Sequence, residues 1–141
     1  MGALYFARIA AAYLAHGNDG GAVENRSKSI ILVSSVAGFT GAPGMPLYSA
    51  SKHALLGLMR SLRSSLPSSH GIRINAVCPG MTDTAMVSGL MDTSTSRRAE
   101  MNQAEDVARI IISLAGADEG HTGRAIHVAD GKGWDIEPII H

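Results

Sequence analysis

Three short apolar runs, each preceded by a helical pattern, constrain this chain more than any other feature. Ser29-Ile30-Ile31-Leu32-Val33-Ser34 is continuously apolar and β-branched between its serines. Such a run predicts a strand buried on both faces of a parallel sheet. Ile72-Arg73-Ile74-Asn75-Ala76-Val77, closed by Pro79-Gly80, predicts a second strand, and Ala125 to Ala129, ending at Asp130-Gly131, a third. The first helix is expected over Gly2–Ala15, where Leu4, Ile9, Ala12 and Tyr13 can share one side and His16-Gly17-Asn18 gives the stop. The longest helical pattern runs from Leu47 to Leu66, with Leu55, Leu58, Leu62 and Leu66 in steps of three and four, and Pro67 is expected to end it. Ala104 to Ala115 carries Val107, Ile110, Ile111 and Leu114 on one side. The order α-β-α-β-α-β predicts an α/β fold, with the strands around Ile31, Ile74 and Ile126 parallel and neighbouring in that order.

Between these elements lie loops. Asp19 to Lys28 is polar and glycine-rich, and Gly38 to Pro46 holds three glycines and two prolines. Thr82 to Glu100 is polar and methionine-rich, and suggests a flap with a short helix. Met81, Met86 and Met91 fit apolar filling there. At 141 residues the chain has length for one domain.

Composition narrows the function classes. Twelve basic residues balance twelve acidic ones, so the basic excess of a phosphate-neutralising nucleic-acid protein is missing. No apolar run approaches the roughly 20 residues of a membrane helix, so no membrane partner is expected. Cys78 is the one cysteine, which excludes an intrachain disulfide, and no histidines pair at helical spacing, so no metal site is expected. A cytoplasmic, reducing compartment is the expectation.

The strongest chemical signal is Tyr48-Ser49-Ala50-Ser51-Lys52, at the start of the long helix. Residues four apart lie on one helical face, so Lys52 sits one turn from Tyr48. An ammonium near a phenol favours the phenolate, which makes tyrosine a usable general acid or base. Ser35 ends the first strand thirteen residues before Tyr48, and sites in parallel sheets form beyond the carboxyl ends of strands. A hydroxyl there can bond the substrate oxygen whose proton the tyrosine moves. Ser49-x-x-Lys52 also fits a serine β-lactamase signature, but the companion segments are missing.

Ser34-Ser35-Val36-Ala37-Gly38, then Tyr48 to Lys52, then Asn75-Ala76-Val77-Cys78-Pro79-Gly80 together resemble the short-chain dehydrogenase/reductase family in order and spacing. The resemblance implies an NAD- or NADP-dependent oxidoreductase acting on a small-molecule secondary alcohol or ketone. It implies that Ser35 orients substrate, that Tyr48 is the acid/base, and that Lys52 favours the Tyr48 phenolate and binds the nicotinamide ribose. Pro79-Gly80-Met81-Thr82-Asp83-Thr84 looks like the family's nicotinamide-contacting turn, with Thr82 and Thr84 at the positions nearest the carboxamide and pyrophosphate. It also implies a homo-oligomer, or self-association, through the helices from Gly2 and Leu47.

The departures matter as much. The resemblance covers the C-terminal, catalytic half of a three-layer, Rossmann-like doubly wound fold. The glycine-rich fingerprint, the ribose selector and the Asn-Asn-Ala-Gly segment are absent, and the family's catalytic Asn would fall just before Met1. Residues 1–141 are therefore expected to be a partial domain without its nucleotide-binding half, inactive alone. An alternative is a non-catalytic remnant or association module. A glycine-rich reading frame upstream of Met1 would favour the enzyme.

Overall fold

The computed structural model describes residues 2–16, 28–88, 101–117 and 120–137. The elements are α1 (Gly2–His16), β1 (Lys28–Val33), a 3-10 turn (Val36–Gly38), α2 (Pro46–Leu62), α3 (Ser65–His70), β2 (Ile72–Pro79), α4 (Ala85–Ser88), α5 (Ala104–Gly116), β3 (Ala125–Ala129) and β4 (Lys132–Asp135). They form one four-stranded sheet in the order β1-β2-β3-β4. Strands β1, β2 and β3 are parallel, with Ile30 opposite Ile74 and Val77 opposite Ile126, as the alternation of strands and helices requires.

The sheet is covered on both faces. Ile30, Leu32, Ile72, Ile74, Ala76 and Cys78 meet Leu56 and Met59 of α2 and Leu66 of α3, with Ala10, Ala11 and Leu14 of α1 alongside. On the other face Val77, Ile126 and Val128 meet Leu114, Val107, Ile110 and Ile111 of α5. The two polar residues within β2 have partners. Buried Arg73 donates to the carbonyls of Leu114 and Ala115, the orphan acceptors at the end of α5. Buried Asn75 donates to the His121 carbonyl and accepts from the Arg124 amide.

Three expectations are corrected. The long helix stops at Leu62 and restarts at Ser65, which places Pro67 in the first turn of α3, where its missing N–H has no helical partner to lose. Along α2 the fully buried residues are Leu56 and Met59, with Leu55, Leu58 and Leu62 only half-buried. The expected side of α1 faces outward, with Leu4, Ile9 and Tyr13 exposed, while Ala7 is buried.

A fourth strand also appears. Asp130-Gly131 is the turn of a hairpin, and β4 pairs antiparallel with β3. Both turn residues have positive φ (48° and 69°), the requirement of a tight two-residue hairpin that Asp-Gly meets. Of the expected flap, the end of the 82–88 segment forms α4, and residues 89–100 lie outside the described residues, as do Gly17 and Asn18.

Candidate active site

The parallel strands bring their carboxyl ends to one edge of the sheet. Ser34 and Ser35 follow β1, and the Ser34 amide continues the ladder by donating to Val77 at 2.8 Å. Ser35 caps the 3-10 turn in an extended conformation (φ −168°, ψ 164°), and its buried hydroxyl oxygen accepts from the Ala37 amide at 3.2 Å. The chain then loops to α2, whose start is favoured by Pro46 in the first turn.

Tyr48 and Lys52 stand one turn apart on α2. The Lys52 ammonium lies 5.6 Å from the centroid of the Tyr48 ring. It also donates to the Val33 carbonyl at 3.0 Å, which sets it at the end of β1, two residues before Ser35. The structure therefore brings Lys52 to both Tyr48 and the strand end that leads into Ser35. Tyr48 is 39% exposed.

At the neighbouring strand end, Pro79 pairs with Val128 and the Gly80 amide donates to the Val128 carbonyl at 2.8 Å. A Cβ on Gly80 would stand 3.3 Å from that carbonyl, so the close approach suits glycine. The Thr82 hydroxyl folds back to the Gly80 carbonyl at 3.1 Å. Met81 is exposed, and the Thr84 carbonyl accepts from Val87 as α4 begins. Pro79 thus ends β2, and Gly80, Met81, Thr82, Asp83 and Thr84 form one continuous turn beyond it.

Three further residues support the site: two belong to the Ser34–Gly38 motif but were given no role there, and the third, Asn102, had no functional signal in the sequence. Ser34 and Gly38 pack against the backbone of Lys52, and Asn102 is buried behind the Gly80–Thr84 turn. The only cue for Asn102 is its place just ahead of the Gln103–Asp106 capping box of α5. Cys78 lies beneath this edge. Burial pushes its thiol up to about 11.

The profile of the short chain dehydrogenase family matches residues 5–95, more than half of the chain. A 3-oxoacyl-(acyl-carrier-protein) reductase of Thermotoga maritima is 34% identical over 116 residues, covering 77% of this chain and 47% of its own length. Short-chain dehydrogenase reductase 3a of Arabidopsis thaliana is 33% identical, covering 94% of this chain and 55% of itself. Among solved structures, acetoin dehydrogenase from Salmonella typhimurium superposes with a TM-score of 0.71 at 29% identity, covering 90% of this chain and 48% of that one. The chain spans about half the length of these relatives. Its sequence motifs, its parallel sheet and these matches make it a member of the short-chain dehydrogenase/reductase family.

Proposed function

We propose that this chain carries the chemistry half of an NAD(P)-dependent oxidoreductase that interconverts a secondary alcohol and a ketone. One observation carries the reading: the Lys52 ammonium lies beside the Tyr48 ring while bonded to the end of the strand that leads to Ser35. The names of relatives support the substrate class. They include the 3-oxoacyl reductase, the acetoin dehydrogenase and a 2-(R)-hydroxypropyl-CoM dehydrogenase of Xanthobacter autotrophicus. The solved structure of ElxO, 30% identical with a TM-score of 0.61, has NADP bound.

The residues present fit the nicotinamide end of such a cofactor. Thr82 and Thr84 bring hydroxyls beyond the end of β2, and Lys52 brings a cation at the neighbouring strand end. An ammonium has three donors, so the bond to Val33 leaves two for the ribose. When bound, the nicotinamide supplies or accepts the hydride. Tyr48 moves the proton at the substrate oxygen. Ser35 holds that oxygen: its own oxygen already accepts from Ala37, which leaves its O–H to donate. We read residues 1–141 as a partial domain, with the adenosine-side contacts supplied by a half that this chain does not include.

The test is a full-length enzyme made by placing a family nucleotide-binding half ahead of Gly2. Tyr48→Phe removes only the transferable proton, so turnover should fall at least 10²–10⁴-fold while cofactor affinity stays nearly constant. Lys52→Ala should weaken both. A Tyr48→Phe enzyme at full rate would sink the reading.

A second reading has its own observation. Leu4, Tyr5, Phe6, Ile9 and Tyr13 of α1 and Leu47 of α2 are all exposed, which favours self-association through these helices.

A further inference from the structure

We propose that Asn102 is a positioning residue that fixes the shape of the Gly80–Thr84 turn. The proposal rests on the cofactor reading only for what that turn faces. Asn102 is 2% exposed, and a buried amide is costly unless its donors and acceptors are met. Here two backbone groups meet them. Its side-chain nitrogen donates to the Val128 carbonyl at 2.9 Å, the same oxygen that receives the Gly80 amide. A carbonyl has two lone pairs, so one atom of β3 anchors both the start of the turn and the residue behind it. The Asn102 side-chain oxygen accepts from the Gly131 amide at 3.4 Å, which ties in the β3–β4 hairpin.

The backbone of Asn102 completes the enclosure. Its amide donates to Met81 at 2.8 Å and its carbonyl accepts from Asp83 at 2.9 Å, a one-residue parallel bridge to Thr82. The Gly80 amide already ties the start of the turn to the Val128 carbonyl. The Asn102 side chain ties the far side of the turn, through residue 102, to the same carbonyl and to Gly131. It therefore sets where the Thr82 and Thr84 hydroxyls stand relative to the end of β2.

Residue-resolved hydrogen exchange on the 141-residue chain tests this without any cofactor. Asn102→Ala should speed exchange of the Gly80, Asp83 and Gly131 amides about tenfold, with Ile30 and Ile74 unchanged. Asn102→Asp keeps the shape and the acceptor for Gly131, but loses the donor to Val128. It should release Gly80 and Asp83 while Gly131 stays protected, and it carries the test if the alanine variant fails to fold. Uniform acceleration across the sheet, or none at the turn, would overturn the assignment. In a second arm, nicotinamide mononucleotide is titrated and the Thr82 and Thr84 amide resonances are followed. Asn102→Asp should lessen shifts seen in the parent chain, and undiminished shifts would overturn the positioning role. A parent chain with no shifts at concentrations well above about 1 mM would count against the cofactor reading, and the exchange arm would still decide the role of Asn102.

Discussion

The Ser34 hydroxyl donates a 2.9 Å hydrogen bond to the backbone carbonyl of Lys52, so the residue after β1 holds the helix that carries Tyr48 and Lys52. Gly38 closes the same contact from the other side. A Cβ there would come 2.4 Å from the Ser34 hydroxyl and 3.0 Å from the Lys52 carbonyl. The ammonium of Lys52 then bonds Val33, so the helix is tied to the strand end by backbone and side chain alike.

Gly38→Ala should therefore destabilise the chain by about 1–3 kcal/mol, the usual cost of overpacking. Ser34→Ala should cost about 1 kcal/mol for its hydrogen bond. The double variant should cost less than the sum, because removing the hydroxyl makes room for the new methyl. Urea unfolding midpoints of the four proteins measure this, and strict additivity would show that the three groups do not share one contact.

The parallel core was legible because its strands are apolar runs that only a doubly covered sheet can bury. Strand β4 was hidden for the opposite reason: Lys132, Gly133, Trp134 and Asp135 are all exposed, so burial leaves no pattern. Its signal was the Asp130-Gly131 pair, which marks both a strand end and a hairpin. The break between α2 and α3 was masked because Leu62 and Leu66 keep a helical spacing across Arg63-Ser64. At the candidate site, order and spacing singled out Tyr48, Lys52 and Ser35, and the structure sets Lys52 beside the Tyr48 ring and at the end of β1. Asn102 was not, because it works through long-range bonds to Val128 and Gly131 that no local pattern records.

Cys78 should be inert in the native chain. Its thiol is fully buried and pushed up to about 11, so little thiolate exists at neutral pH. The native state holds this proton more tightly than the unfolded state, whose thiol titrates near 9.0. The resulting stability is complete below pH 9 and is lost as pH rises toward about 11. Cys78→Ala should flatten that alkaline loss, as denaturant titrations between pH 8 and 11 would reveal. An unchanged slope would remove Cys78 as its source.

Self-association should follow from two surfaces. One side of β1 has no neighbour among the described strands, and an unpaired edge invites a second chain. The exposed apolar residues of α1, with Leu47, add a patch that water disfavours. Sedimentation should show dimers or larger species that dissociate when Phe6, Ile9 and Tyr13 are replaced together by polar residues. A stable monomer at high concentration would contradict this.

Nucleotide binding by the 141-residue chain alone should be feeble. A dinucleotide's pyrophosphate is held at a glycine-rich helix N-terminus, and its adenosine ribose by a residue about 20 positions later. Neither feature occurs in this sequence. In the proposed reading, Lys52, Thr82 and Thr84 serve only the nicotinamide end. Without adenosine-side contacts the dissociation constant should be on the order of 1 mM or weaker, about −4 kcal/mol. Hydride transfer also needs the ring and the substrate held in a near-attack geometry, which a loosely bound ring does not supply, so dehydrogenase activity should be absent. Calorimetric titration with NADH and with NADPH measures the affinity. Micromolar binding of either would refute the expectation, because it would mean that a second copy of the chain rebuilds the adenosine side of the site.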